Sequence, residues 1–345
     1  MARKIVLTSG KGGVGKTTVC ANLGICLAKL GFRVVLIDVD IGLNNLDVVM
    51  NVENQVVFDI TDVIMGRCRP RQALVQDRNI SSLYVLPSAQ AYNKTNILGE
   101  HIKNVVDQLD SSFDYILIDC PAGVEAGFHR AVFPASEAII VVTPHLSSIR
   151  DADKVVGLLN DYNIEYKGLV INRMRGDLLL NGEMMTIESI VRALNLPLLG
   201  VIPEDDAIGS SCSVGGKLQS VESARAFTLL SENIHNGSKK IFDCTYKYRG
   251  LVGYLKRNIK KHGGGNMDYK IAKRMNYILE NDKICDPQQV CEVLKDEIKP
   301  IIENYISIQD DIKVRFKKEN NKNIFWIEID ADRIKPFGYI KPWYS

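Results

Sequence analysis

The sequence lacks the cysteine patterns of a disulfide framework or a zinc site. Its eight cysteines are scattered singly, with no CxxC pair and no Cys/His cluster, which indicates reduced thiols in a cytosolic protein. No signal peptide is recognisable, because the chain runs directly into the apolar stretch Ile5–Thr8. No apolar run has the length that spanning a bilayer requires. These absences predict a soluble chain without disulfides or membrane spans.

An excess of charge of either sign is also missing. The 345 residues carry a net charge of only +2, which argues against a surface built to coat nucleic acid, so any important charge asymmetry must be local. One such asymmetry is present: residues 246–262 contain no acidic residue. The length itself predicts two domains.

Short apolar runs alternate with helical patterns from residue 3 to about residue 235. The runs are Ile5–Thr8, Val34–Asp38, Tyr84–Pro87, Tyr115–Asp119, Ala138–Val142, Gly168–Asn172 and Leu199–Pro203. Residues 17–30, closed by Gly31, and residues 98–109 have helical spacing. The alternation predicts an α/β domain over residues 1–245, with a parallel sheet covered by helices on both faces and ligands at the carboxyl ends of its strands.

The composition changes after the acid-free segment. Gly263–Asn266 reads as a linker, and residues 267–345 have a different pattern. Residues 270–281 are amphipathic, residues 287–305 are helical apart from Pro300, and residues 311–317 and 323–330 alternate like strands on either side of an Asn320-Asn321-Lys322 turn. We expect a small second domain of α+β type.

A phosphate-binding loop follows the first predicted strand. Residues 10–17 match GxxxxGK[ST], with a strand before the motif and a helix after it. Backbone N–H groups and the helix N-terminus would hold phosphate oxygens. Lys16 should reach the β- and γ-phosphates, and the Thr17 hydroxyl should bind Mg²⁺.

Carboxylates end two other predicted strands. Asp119 closes the run YILID, where a carboxylate would support the Mg²⁺ ion, and Asp38 and Asp40 end VVLIDVD. Asp38 and Asp40 would meet the γ-phosphate or its attacking water, although one of them could instead stabilise its loop. We therefore expect metal binding by Thr17, Asp38 and Asp119, and catalysis by Lys16 and Asp40, to which the family resemblance below adds Lys11.

The segment KGGVGKTT, together with IDVDIGLNNLDVVM, LIDCPAG and GVIPED, resembles the MinD/ParA family of ATPases with a deviant Walker A motif. The resemblance covers residues 3–262 and implies that Lys11 crosses a dimer interface to the phosphates of the other subunit. It also implies an Asn-Arg pair and a loop around the adenine. The expected nucleotide contacts are Gly10, Lys11, Gly12, Gly13, Val14, Gly15, Lys16, Thr17, Thr18, Asn172, Arg173, Pro203, Glu204 and Asp205.

The acid-free segment predicts a membrane-surface helix. On a helical wheel an apolar stripe faces a basic side, which is typical of binding to anionic lipid. The expected membrane contacts are Tyr248, Leu251, Val252, Leu255, Lys256, Arg257, Ile259 and Lys260. A solvated basic linker and a nucleic-acid-binding tail are the alternatives. The position also matches the membrane-targeting helix of the MinD family.

Residues 270–332 resemble the topological specificity factor MinE. The resemblance implies that residues 271–281 bind the ATPase, through Ile271, Arg274, Met275 and Ile278. The same residues would also suit a core element, with helical and strand patterns both present.

Together these features predict an ATP- and Mg²⁺-dependent dimeric switch that is cytoplasmic and peripheral on the inner face of the cell membrane. By resemblance it would position the division site with a MinC-like inhibitor, and its MinE-like segment would act in cis or in trans. A ParA-type DNA-partitioning ATPase and a non-catalytic scaffold are the competing hypotheses. No nucleic-acid partner is expected.

Overall fold

The computed structural model describes residues 1–42, 45–89, 97–205, 220–249, 306–308, 312–319 and 322–334, together with Cys291, Lys295 and Lys299. The chain divides into two compact units, Met1–Asn258 and Ile259–Ser345. The predicted linker, the amphipathic segment 270–281, Pro300 and the turn residues Asn320 and Asn321 lie outside the described residues.

The first unit alternates strands and helices along the chain. Its strands are β1 Arg3–Thr8, β2 Val34–Asp38, β3 Val75–Gln76, β4 Leu83–Leu86, β5 Tyr115–Asp119, β6 Glu137–Val142, β7 Tyr166–Met174 and β8 Leu198–Pro203. Its helices are α1 Lys16–Lys29, α2 Leu46–Val49, α3 Ile60–Ile64, α4 Pro70–Ala73, α5 Gly99–Leu109, α6 Ala126–Val132, α7 Leu146–Leu158, α8 Gly176–Leu180, α9 Ile187–Leu194 and α10 Val221–Asn236. Short 3₁₀ turns lie at Glu53–Gln55, Leu159–Asp161 and Tyr246–Tyr248.

The strands form one sheet in the order β3-β4-β2-β5-β1-β6-β7-β8. The seven strands predicted from apolar runs are confirmed and pair in parallel. The sequence did not predict β3, a two-residue strand that runs antiparallel to β4 at the sheet edge. It is too short to leave a pattern in the sequence.

Apolar side chains of the central strands alternate between two hydrophobic clusters. Ile37 and Ile118 belong to one cluster, while Leu36 and Leu117 belong to the other. Because successive side chains of a strand point to opposite faces, the clusters lie on the two sides of the sheet. This double burial explains why the sequence shows continuous apolar runs instead of alternation.

The sheet register brings the candidate site together. Leu7, near the end of β1, and Asp38, the last residue of β2, are both register partners of Asp119 at the end of β5. The residues that follow β1, β2 and β5 therefore share one edge of the sheet, the edge at which parallel α/β proteins bind ligands.

The second unit contains β9 Ile306–Ile308, β10 Lys313–Glu319, β11 Lys322–Glu328 and β12 Ala331–Ile334. Strand β10 pairs antiparallel with β11, which confirms the predicted hairpin. The turn prediction was wrong at Lys322, which lies opposite Glu319 and begins β11. Strand β12 pairs antiparallel with β9. Among the helices that the structure describes, none combines the length and hydropathy of a membrane span.

Candidate nucleotide site

The loop between β1 and α1 has the backbone of a phosphate cradle. Gly13 and Gly15 adopt left-handed φ angles of 76° and 91°, which favour glycine. A Cβ on Gly15 would also lie 2.5 Å from the side-chain nitrogen of Asn172. Helix α1 has no side-chain cap and no acidic residue in its first turn. Its first N–H groups thus stay directed at the loop, where an anion would satisfy them.

Lys16 is buried within this cradle, with an exposed fraction of 7%. Its Nζ donates to Ser9 Oγ at 3.0 Å, and Ser9 Oγ donates to the Lys11 carbonyl at 2.8 Å. The ammonium group is thereby held on the inner side of the loop. A buried cation beside converging N–H groups is suited to phosphate oxygens.

Lys11 has the opposite environment, although it belongs to the same loop. Its side chain is exposed, and Nζ donates to Ser147 Oγ of α7 at 3.1 Å. The loop packs directly on that helix, since a Cβ on Gly10 would lie 2.1 Å from the carbonyl oxygen of Asp151. The two lysines therefore face different directions, one toward its own cradle and one toward the surface.

Asp38 and Asp119 form a buried pair of carboxylates, exposed by 1% and 3%. Asp38 accepts hydrogen bonds from the backbone N–H groups of Asp40 at 2.8 Å and of Asn45 and Leu46 at 3.2 Å each. Both Asp38 oxygens are used in these bonds. The contacts thus favour a role for Asp38 in shaping the loop after β2, which is the alternative that the sequence left open.

The electrostatics of this pair suit a cation. Burial is the main cause that raises the pKa of Asp38 to about 8, and the charge of Asp119 raises it further. The three backbone donors act to lower this pKa. Burial raises the pKa of Asp119 to about 6, while the Thr17 hydroxyl and the Lys16 charge act to lower it. Asp119 Oδ1 is buried with no hydrogen-bond partner among the described residues. An unsatisfied carboxylate oxygen beside a threonine hydroxyl is a donor set that Mg²⁺ accepts.

Asp40 lies at the same edge and is half-buried. Its charge contributes to the raised pKa of Asp119 and also acts on Arg130 of α6, where it opposes the lowering of the arginine pKa by burial. Asp40 is therefore close enough to interact electrostatically with both Asp119 and Arg130. A residue on the γ-phosphate side of the site would be expected to lie there.

The residues expected around the adenine have defined contacts. Asn172 donates one N–H of Nδ2 to the Val14 carbonyl at 2.8 Å, and its Oδ1 is the atom that could accept from a base. Arg173 is exposed and has a φ of 58°, which is unusual for a residue other than glycine.

The loop after β8 supplies the other expected adenine contacts. Pro203 ends the strand and is buried. Glu204 lies 3.8 Å from Arg175, and Asp205 accepts from Ser223 Oγ of α10 at 2.6 Å. Asn172 and Asp205 thus each brace a loop, a function that the sequence alone did not indicate.

Sequence reasoning missed Ser9 and Ser147. Ser9 directly precedes the loop motif, and that position was the available signal for it. Ser147 lies 136 residues from Lys11 in the chain, so no sequence pattern could have found it.

Tyr248 was wrongly assigned to the lipid-facing stripe. It is only 8% exposed and forms part of a 3₁₀ turn that packs against α8. The phenol ring is buried in the first unit because Gly176 leaves room for it. The other expected membrane contacts, Leu251, Val252, Leu255, Lys256, Arg257, Ile259 and Lys260, lie outside the described residues, as do Ile271, Arg274, Met275 and Ile278.

The parallel sheet, the glycine loop with its buried lysine and the adjoining carboxylates define a P-loop nucleotide-binding protein. Comparison with known families agrees. The chain belongs to the family of the CobQ/CobB/MinD/ParA nucleotide binding domain, whose model matches residues 5–216. Residues 262–331 match the septum formation topological specificity factor MinE. The predicted union of a MinD-like and a MinE-like segment in one chain is confirmed.

Individual relatives show which members of this family the chain is similar to. The septum site-determining protein MinD of Bacillus subtilis is 52% identical over 210 residues, which are 60% of this chain and 78% of that protein. The MinC:MinD cell division protein complex of Aquifex aeolicus has a chain that is 41% identical, with a TM-score of 0.64, over 69% of this chain and 97% of that one. MinD of Pyrococcus horikoshii, solved with Mg-ADP, is 32% identical with a TM-score of 0.60, over 68% and 96% respectively.

Proposed function

We propose that this chain is a Mg²⁺-dependent ATPase that dimerises on binding ATP, associates with the membrane surface and helps to place the division septum. The observation that carries the proposal is the contrast within one loop: Lys16 is buried at 7% exposure in its own cradle, whereas Lys11 is exposed. A second copy of the chain could receive Lys11 without any rearrangement of Lys16.

The residues present fit ATP with Mg²⁺. The N–H groups of residues 10–18 would hold the phosphates, with Asn172 Oδ1, Arg173 and the Pro203–Asp205 loop near the base. Thr17 and Asp119 would hold the metal ion, and Asp38 would shape the loop beside them. When bound, Mg²⁺ supplies positive charge that stabilises the phosphate oxygens.

The chain's own residues would then act on the transferred phosphoryl group. Lys16 neutralises charge on its oxygens from within the subunit, and Lys11 of the second copy adds a cation as negative charge develops. Asp40 would orient the attacking water, because it is half-buried at the edge of the site. Hydrolysis thereby depends on dimerisation.

The expected protein partners are inferred from the relatives of this chain. The Aquifex aeolicus MinD is seen in a complex with MinC, so a MinC-like division inhibitor is the expected partner here. The MinE-like segment would stimulate hydrolysis in cis or in trans. A tethered segment has an effective concentration of about 1 mM, so stimulation would not need added protein. The acid-free segment, residues 246–262, would hold the dimer on anionic lipid at the inner face of the cell membrane, since two copies bind more tightly than one.

The test measures ATP turnover and sedimentation of the full chain with vesicles of anionic and zwitterionic lipid, and separately with DNA. We expect ATP-dependent pelleting with anionic vesicles, and turnover that Lys11→Ala abolishes. Lys154→Ala is the matched control, because Lys154 is an exposed lysine on α7. Pelleting with DNA and indifference to vesicles would favour a ParA-type function instead. A chain that remains monomeric with ATP and Mg²⁺ would contradict the proposal.

A further inference from the structure

Three exposed apolar side chains lie on elements that meet at the last 3₁₀ turn, Tyr246–Tyr248. Val221 is 84% exposed at the start of α10, Tyr246 is 80% exposed in the last 3₁₀ turn, and Leu180 is 39% exposed at the end of α8. We call these three residues the root patch. Single exposed apolar residues are ordinary on protein surfaces, so their placement relative to one another decides whether they matter.

The elements that carry the root patch are in direct contact. A Cβ on Gly176 of α8 would lie 1.9 Å from the Cys244 carbonyl oxygen and 3.0 Å from the Tyr248 ring. Lys247, next to Tyr246, forms an ion pair with Glu222, next to Val221. The turn is therefore fixed to both α8 and α10, and the three exposed side chains lie around one junction.

Three carboxylates next to the root patch are paired with a cation. Glu222 is paired with Lys247, Asp243 with Arg249 at 2.9 Å, and Asp177 with Arg175 at 2.6 Å. Neutralised carboxylates do not repel an anionic surface as free ones would. The charge pattern around the root patch is thus compatible with negatively charged lipid.

We propose that the root patch contacts the same anionic lipid surface as the apolar and basic residues 251–261, so that the ATPase unit itself lies against the membrane. This inference rests on the membrane association proposed above. The supporting observation is continuity along the sequence: Tyr246 lies five residues before Leu251, the first of the apolar and basic residues 251–261. A tyrosine and aliphatic side chains are typical of a membrane-interface site.

The first experiment compares Val221→Asp and Tyr246→Glu with Val57→Asp in the full chain. Val57 is the matched control because it is 78% exposed and follows β2, far along the sheet from β7 and β8. With ATP, Mg²⁺ and vesicles of phosphatidylglycerol and phosphatidylcholine, we expect each root-patch variant to bind about tenfold more weakly, the effect of losing one buried apolar side chain. Val57→Asp should bind like the unchanged chain. Turnover without vesicles should be the same in all of them, which confirms folding.

A second measurement reports position instead of affinity. Tyr246→Trp should be quenched by brominated lipid in the presence of ATP, whereas Val57→Trp should not. The unchanged chain supplies the background from its own two tryptophans, Trp326 and Trp343.

The outcomes separate this inference from the function on which it rests. If the unchanged chain pellets with vesicles but the root-patch variants pellet equally well and Tyr246→Trp is not quenched, the root patch does not touch lipid. If Val221→Asp instead prevents ATP-dependent dimerisation without vesicles, a second copy covers the patch and the inference is wrong. If the unchanged chain never pellets, the proposed membrane association itself fails.

Discussion

The described strands of the two units differ in how completely they bury their apolar side chains. In the first unit, β2 and β5 are buried along their whole length, and Phe128 and Phe227 are almost inaccessible. In the second, Trp326 and Ile327, neighbours on β11, are 46% and 43% exposed. A sheet covered by helices closes its own core, whereas a two-stranded pair cannot cover both of its faces. The first unit therefore carries a preformed site, and the hairpin presents apolar surface.

The largest effect is expected where the first unit is packed most tightly. Gly10→Ala would place a methyl group 2.1 Å from the Asp151 carbonyl oxygen, so the loop or α7 must move. We expect the free energy of unfolding to fall by about 3 kcal/mol, with loss of ATP binding. Urea denaturation and nucleotide titration measure these effects.

Gly157→Ala is the control for this prediction, because nothing lies within 4 Å of its Cβ position in α7. It should stabilise the helix by about 0.5–1 kcal/mol. Equal stability of the Gly10 variant and the unchanged chain would show that the contact between loop and helix is loose.

The next effect concerns the polar site. Lys16→Ala removes the buried ammonium group and should lower ATP turnover by about 10²–10³-fold at saturating ATP and Mg²⁺. Ser9→Ala removes only the group that holds Lys16, and should lower turnover less. An equal loss in both variants would mean that Ser9 is as necessary as the lysine it orients.

A smaller effect is expected at Asn172. Its replacement by alanine removes the donor to the buried Val14 carbonyl and should cost about 1–3 kcal/mol of unfolding free energy. Asn104→Ala, on the exposed side of α5, should leave stability unchanged or slightly higher. Thermal unfolding of both variants measures the difference in their stability. If the Asn172 amide does not brace the loop, the two variants should be equally stable.

The smallest effect on the stability of the first unit is expected from a substitution in the second unit. Trp326→Glu changes a side chain that is 46% exposed, so the unfolding free energy of the first unit should shift by less than about 0.5 kcal/mol. Self-association, measured by light scattering, should change more than stability does. A loss above 1 kcal/mol in the first unit would contradict this prediction.

Much of the site could be predicted because its parts are local. The glycines and Lys16 form one continuous motif, and Asp119 and Asp38 end runs whose apolar pattern marks them as buried strands. Ser147, the Asn172 brace and the burial of Tyr248 were not predictable, because each depends on a segment that is distant in the chain.

By itself, the sequence determined the seven parallel strands of the sheet, the phosphate loop and the resemblance of both segments to known families, since these follow from short apolar runs and from local motifs. Only the tertiary structure decided which lysine faces inward, which carboxylate oxygen stays unsatisfied and which apolar residues meet at the end of the first unit. The physical reason is that these properties depend on the approach of surfaces that the sheet register brings together, and contacts across long stretches of chain leave no periodic trace in the sequence.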